Sequence, residues 1–392
     1  MHFSGRVPSD LAPNRLAAGL EALRRAGVPL LDLTVSNPTR AGLAYPDGLL
    51  ARLADAGGLV YEPAPFGLPD ARAAVSADFA RRGLTVPPDR IVLTASTSEA
   101  YSLLFKLLCD PGDRVLVPRP SYPLFEHLSR LDAVRVEPYD LEYHGVWTID
   151  LGSVERAAGE GTRAVLLVSP NNPTGSCLKR DELDALAGLC EARGLALIGD
   201  EVFADYPLDP DPGGAAGVLA QDRALTFGLG GLSKSVGLPQ LKLGWIGVGG
   251  PPPLVAGALA RLEVICDTYL SVATPVQRAA ADLLARGAAV RQRIQDRIAV
   301  NYSALHELTS AHPSCRVLRA EGGWYAVVQV PATRSEEALV LDLLNRQHVV
   351  VHPGYYFDFP REAFLIVSLL PAPQPFAEAV GRLLVEAEAS AA

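Results

Sequence analysis

Residues 164–200 read AVLLVSPNNPTGSCLKRDELDALAGLCEARGLALIGD, a strand–turn–helix–strand pattern from which the architecture can be built outward. AVLLV at 164–168 is an unbroken apolar, β-branched run, which predicts a strand buried on both faces. NNPTG at 171–175 has the Asn-Pro and Gly chemistry of a rigid turn. Over 180–193 the pattern becomes helical. Leu183, Leu186 and Leu189 share one face, Asp181 and Glu182 sit near the positive end, and Gly194 closes the helix. LALI at 195–198 is the next strand, which completes a βαβ crossover of the usual right hand.

The same alternation extends outward, from about residue 45 to 250. RIVLTA at 90–95 predicts a strand, 98–108 a helix and RVLV at 114–117 another strand. After Pro251 the texture changes: 275–308 is long and helical, while 316–330, 348–352 and 364–369 have strand character. Near the N-terminus, Leu16, Leu20 and Leu23 mark a helix ending at Gly27. The expected class is α/β. A large domain (46–285) carries a mostly parallel sheet flanked by helices, and a smaller α/β domain is built from both termini (1–45 and 286–392).

Composition narrows the function. Hydrophobic residues at 49% and charged residues at 20% are globular values, and 35 basic against 44 acidic residues give a net charge of −9, which argues against nucleic-acid binding. No apolar stretch approaches membrane-spanning length, and the N-terminus lacks a secretory pattern. The five cysteines (Cys109, Cys177, Cys190, Cys266, Cys315) are scattered without CxxC spacing, and predict reduced, mostly buried thiols in a cytoplasmic protein. The histidines show no ligand spacing, so no metal is expected. GLGG (228–231) and GVGG (247–250) do not complete a dinucleotide fingerprint.

Three polar residues follow three buried runs. Asn172 comes after AVLLVSPN, Asp200 after LALIG and Lys234 after ALTFGLGGLS. Singly, each has a plain explanation as turn, cap or snorkelling lysine. Together they are what a pyridoxal-phosphate site needs: a lysine for the Schiff base, a carboxylate to keep the pyridine nitrogen protonated, and an amide for the phenolic oxygen. Ser96, Thr97, Ser98 and Glu99 open a helix after RIVLTA; the same geometry serves a capping box or a phosphate. Lys242 could supply a cation to that phosphate, and Tyr122 in PRPSYP could stack on a ring or merely pack in its loop. HPGYYFDF (352–359) suits a pocket wall and a core equally.

SPNNPTG, GDEVFADY and LSKSVGLPQLKLGW, in this order and spacing, resemble the class I/II aminotransferases of the fold type I pyridoxal-phosphate group, over nearly the whole chain. The resemblance implies Lys234 as the Schiff-base lysine, Asp200 on the pyridine nitrogen, Asn172 at the phenolic oxygen and Tyr122 on the ring. Ser96, Thr97, Ser98 and Lys242 would surround the phosphate, and Ser233 would also bind the cofactor. Tyr61 would reach a neighbouring subunit's phosphate, so a homodimer is implied, and Asn37 would lie over the substrate. The implied reaction moves an amino group between an amino acid or related amine and an oxo acid. The alternative on the same scaffold is a lyase, decarboxylase or cyclising synthase. A transcriptional sensor would need an attached helix-turn-helix module, for which no residues are left over.

Four positions depart from the family pattern. Phe203 stands for a tyrosine, Lys242 for the phosphate arginine, and Gly231 for the serine three residues before the lysine. Ile366, in FLIVS, stands where an arginine usually holds the substrate carboxylate. Arg361, in the preceding loop, is the candidate replacement.

Overall fold

The computed structural model describes residues 2–211 and 213–389. Its centre is an eight-stranded sheet. In spatial order the strands are Ile91–Thr94, Gly244–Gly249, Thr226–Gly231, Ala196–Asp200, Thr162–Val168, Arg114–Arg119, Arg135–Tyr143 and Trp147–Ile149. The strands from Thr226–Gly231 to Arg135–Tyr143 run parallel to their neighbours. Gly244–Gly249 is antiparallel to both strands beside it, and Trp147–Ile149 is antiparallel at the far edge.

Alternation along each strand divides the interior. Val165 and Leu167 enter one apolar core, whereas Ala164 and Leu166 enter the other, on the opposite face. Every second residue points to the same side of a strand, so a run that is apolar throughout marks a sheet covered twice. Helices Thr97–Leu108 and Pro252–Tyr269 cover one face, with Leu103, Leu104 and Leu262 buried there. Helix Arg180–Arg193 has the bounds its periodicity predicts, and Gly194 ends it in the left-handed conformation at φ 64°.

A second sheet has four strands, in the order Arg316–Val317, Tyr325–Gln329, Phe364–Ser368, His352–Pro353. The N-terminal helix Arg15–Arg25 leads to strand Leu31–Asp32, which pairs in parallel with Val349–Val350. The first segment of the chain is thereby hydrogen-bonded to the last third. Helix Thr274–Ser310, 37 residues long, carries the chain across the 285/286 boundary without a break. Of the five cysteines, all are free; Cys190, Cys266 and Cys315 are buried and the other two half-buried. Among the described residues no group of side chains could hold a metal ion, and no helix is long and apolar enough to cross a membrane.

Candidate active site

Strands Thr162–Val168, Ala196–Asp200 and Thr226–Gly231 are sheet neighbours, and Val168 pairs with Asp200 as Asp200 pairs with Leu229. Their carboxyl ends therefore open at one level, the position where parallel α/β sheets bind ligands. Asn172, Asp200 and Lys234 leave from these three ends and line one open cleft with a cavity volume of about 420 Å³. Ser96, Thr97, Ser98, Tyr122, Ser233 and Lys242 line it too. Tyr61, Asn37 and Arg361 are not among its lining residues. Tyr61 is 71% exposed and borders a separate groove with Tyr269. The Asn37 side chain caps a 3-10 turn, accepting from the Thr39 N–H at 3.0 Å. The Arg361 guanidinium lies over the Phe364 ring, 5.4 Å from its centre.

Lys234 belongs to a single helical turn, Leu232–Ser235, that follows its strand directly. The Tyr206 hydroxyl donates to the Lys234 carbonyl, and Arg291 Nε donates to the Ser235 carbonyl at 2.9 Å, so the backbone of this turn is tied on two sides. The Lys234 ammonium faces Trp324 and Phe203, 5.0 and 5.8 Å from the ring centres. Burial pulls its pKa down to about 8, against the opposing pull of the Asp200 charge.

Asp200 is buried, and that burial raises its carboxyl to about 6. Two hydrogen bonds resist the rise. Tyr101 Oη donates to Oδ2 at 2.8 Å and the Val202 N–H donates to Oδ1 at 3.1 Å. Tyr101 is itself buried in the apolar core, edge-on to Phe125 at 5.4 Å. Phe125 in turn meets Tyr122 at 6.2 Å. Among the described residues, the Asn172 amide oxygen is buried without a hydrogen-bond partner. An orphaned buried amide in a cleft wall is a group that a ligand would satisfy.

The opposite end of the cleft suits an anion. Ser96 caps helix Thr97–Leu108, its Oγ accepting from the Glu99 N–H at 3.1 Å. The expected capping box closes one residue early, since Glu99 accepts from the Ala95 N–H at 2.5 Å. Among the described residues, Lys242 forms no ion pair and stands exposed at this mouth. Gly231 and Gly244 complete the cradle. A Cβ on Gly231 would lie 3.1 Å from the Leu243 carbonyl oxygen, and one on Gly244 would lie 3.0 Å from the Ser96 backbone. At 231, where the family pattern has serine, a side chain would require the Leu243 carbonyl to shift by a few tenths of an ångström. The helix N-terminus, hydroxyls and free lysine fit a phosphate, and the lysine, carboxylate and orphaned amide fit a pyridine ring.

Sequence reasoning did not single out Tyr101, Tyr325, Thr34 or Ser36, all of which contact Asp200 or line the cleft. Tyr101 is flanked by Leu103, Leu104 and Phe105 and is indistinguishable from core by pattern. HPGYYFDF serves both suggested purposes: His352, Tyr356 and Phe357 line the cleft, and Phe359 packs on Phe364 at 4.6 Å.

Comparisons with known proteins agree with this geometry. The family model for aminotransferase class I and II matches residues 29–380. The glutamate-pyruvate aminotransferase AlaA of Escherichia coli K12 is 26% identical over 359 residues, covering 88% of each chain. The alanine aminotransferase of Mycobacterium bovis is 27% identical over 386 residues, covering 94% of this chain and 87% of the relative. Among solved structures, alanine aminotransferase from Pyrococcus furiosus superposes with a TM-score of 0.89 at 23% identity, covering 99% of this chain and all of that one (100%). A Thermus thermophilus aspartate aminotransferase gives 0.85 at 24% identity, with 98% and 100% coverage. The chain belongs to the class I and II aminotransferases, a family of pyridoxal-phosphate-dependent enzymes with the type I fold.

Proposed function

We propose that this aminotransferase holds pyridoxal phosphate in the cleft between Asn172, Asp200 and Lys234, and exchanges amino groups between amino acids and oxo acids there. The observation that carries this reading is the convergence of those three side chains at three adjacent strand ends, with Lys234 brought down to about 8. When bound, the cofactor supplies an aldehyde that captures amino groups and a ring that withdraws electrons from the carbon losing its proton.

The protein's residues do the rest. At neutral pH, on the order of one Lys234 amine in ten is unprotonated, against roughly one in several thousand for a solvated lysine. Its Nζ can therefore accept a proton from a substrate carbon and return it elsewhere. Asp200, with its two hydrogen bonds, is ionised at neutral pH and provides the negative charge that keeps a ring nitrogen protonated. Tyr122, exposed in the cleft wall, would stack on the ring. Ser96, Thr97, Ser98, Ser233 and Lys242 would hold the phosphate. The exposed run Leu59, Val60 and Tyr61 supports a homodimer in which Tyr61 completes the partner's site. Its exposure explains why Tyr61 lies outside the cleft of a single chain. The cytoplasm is the compartment that suits free thiols and an amino-acid substrate.

The test is a spectroscopic half-reaction. The purified yellow protein should bleach on addition of an amino donor such as L-alanine and recover on addition of pyruvate, and Lys234→Ala should do neither. A protein that bound no pyridoxal phosphate, or whose spectrum no amine shifted, would defeat the reading.

A further inference from the structure

The cleft has an uneven distribution of charge. Its only lysines are Lys234, beside Asp200, and Lys242, at the mouth near Ser96, and no arginine lines it among the described residues. The wall contributed by the N-terminal segment and the second sheet consists of Thr34, Ser36, Tyr325, His352 and Tyr356, with Phe357. An amino acid or oxo acid carries a carboxylate next to its reacting carbon, and a carboxylate taken from water needs a hydrogen-bond donor.

Most of the polar groups on this wall already have partners. Thr34 Oγ1 donates to Asp32 Oδ1 at 2.5 Å. Tyr356 Oη accepts from Asn14 Nδ2 at 2.8 Å. The Tyr325 hydroxyl is hydrogen-bonded to Ser36. His352 differs: neither ring nitrogen has a hydrogen-bond partner among the described residues, and Nδ1 is fully buried. Its strand fixes its place. His352 pairs in register with Ile366, which is wholly buried and cannot reach the cleft with a polar atom. Tyr356 and Phe357 hold the imidazole from the other side, with ring centres 5.9 and 6.0 Å away. A half-buried imidazole with unused hydrogen-bonding capacity in a cleft wall is costly unless a ligand completes it.

We propose that His352 is the specificity-determining residue of the substrate subsite, and that it takes the substrate carboxylate through a single ring N–H. This rests on the reading of the cleft as an amino-acid site. A one-pronged imidazole contact fixes a carboxylate in position but leaves it free to rotate about that bond, unlike a guanidinium fork.

The experiment measures binding apart from turnover. 2-Methylalanine has an amino acid's head group but no α-hydrogen, so it can occupy the holoenzyme without losing a carbon-bound proton. Its dissociation constant and that of 2-methylalaninamide are measured by absorbance titration and calorimetry on the wild type, His352→Phe and His352→Gln. Loss of a hydrogen bond to a charged group should weaken the acid by about ten- to a hundredfold in His352→Phe. The amide should weaken by less than about threefold, and His352→Gln, which retains an N–H, should recover most of the loss. Equal weakening of acid and amide, no weakening of either, or no recovery in His352→Gln would overturn the proposal. If no amino acid tried produces a half-reaction in the wild type, it is the amino-acid reading that fails. That outcome is separate from the acid-to-amide comparison.

Discussion

Removing one oxygen atom, in Tyr101→Phe, should change how the whole protein responds to pH. Burial raises the Asp200 carboxyl from 3.8 to about 6 even with the Tyr101 hydroxyl donating to Oδ2 at 2.8 Å. That rise of roughly two units means ionised Asp200 costs the fold about 3 kcal/mol relative to an exposed aspartate. A hydrogen bond to a charged acceptor contributes about 1.5–3 kcal/mol, or roughly one to two pH units. Without it, Asp200 in the cofactor-free protein should titrate at roughly 7–8. Phenylalanine keeps the ring edge-on to Phe125, so packing is conserved.

The sign follows from linkage. A carboxyl whose folded pKa lies above its unfolded value stabilises the fold fully below the unfolded pKa, and that stability is lost as pH rises through the folded pKa. In the wild type the loss is complete soon above pH 6, and in Tyr101→Phe it continues to roughly pH 8. The stability difference between the two cofactor-free proteins should therefore be small at pH 5 and grow to about 1.5–3 kcal/mol at pH 8. Urea unfolding at a series of pH values measures it, and Asp200→Asn should remove the pH-dependent part from both. A difference that stayed constant from pH 5 to pH 8, or shrank, would show that the Tyr101 hydroxyl does not hold the Asp200 carboxylate.

Other perturbations test other parts of the site. Phe203→Tyr would put a hydroxyl near Lys234, whose ammonium lies 5.8 Å from the Phe203 ring centre, and should lower the pH midpoint of the holoenzyme's visible absorbance. An unchanged or higher midpoint would contradict a missing donor at that position. Gly231→Ser should weaken cofactor affinity and lower the melting temperature, because its Cβ would press on the Leu243 carbonyl at 3.1 Å; an unaltered affinity by fluorescence titration would count against the cradle. Lys179 Nζ pairs with Glu321 at 2.5 Å, both buried, so Lys179→Met should cost about 3–5 kcal/mol by leaving a lone charge, while Lys179→Met with Glu321→Gln should recover most of it in denaturant melts. If Tyr61 serves a partner's phosphate, Tyr61→Phe should raise the dissociation constant for pyridoxal phosphate without altering the sedimentation coefficient.

The parts of the site legible in the sequence are those where one residue type performs one local task. Helix Arg180–Arg193 could be bounded because its apolar spacing, acidic first turn and closing glycine all act within the helix itself. Strand 348–352 could not, because Val349–Val350 pairs with Leu31–Asp32 while His352–Pro353 turns to pair in another sheet; only long-range partners split the run. Lys234 appeared as a strand-end lysine, and the structure places it on a helical turn whose backbone is tied by Tyr206 and Arg291, residues distant in sequence.

The same distinction explains why the site's electrostatics were less visible than its inventory. Asp200 is recognisable by position, but whether it is ionised depends on Tyr101, 99 residues away, and on burial supplied by three layers of structure. Tyr101 looks like core because it is core; its hydroxyl matters only since the sheet brings a carboxylate 2.8 Å from it. Ile366 is the converse case. In sequence it reads as a missing cation, yet in the sheet it stands beside His352, a cleft-lining side chain whose ring nitrogens have no partner among the described residues. A substitution that seems to delete a function at one strand position is thus compatible with its relocation to the register partner. Strand pairing, not sequence proximity, decides which residue can inherit the task.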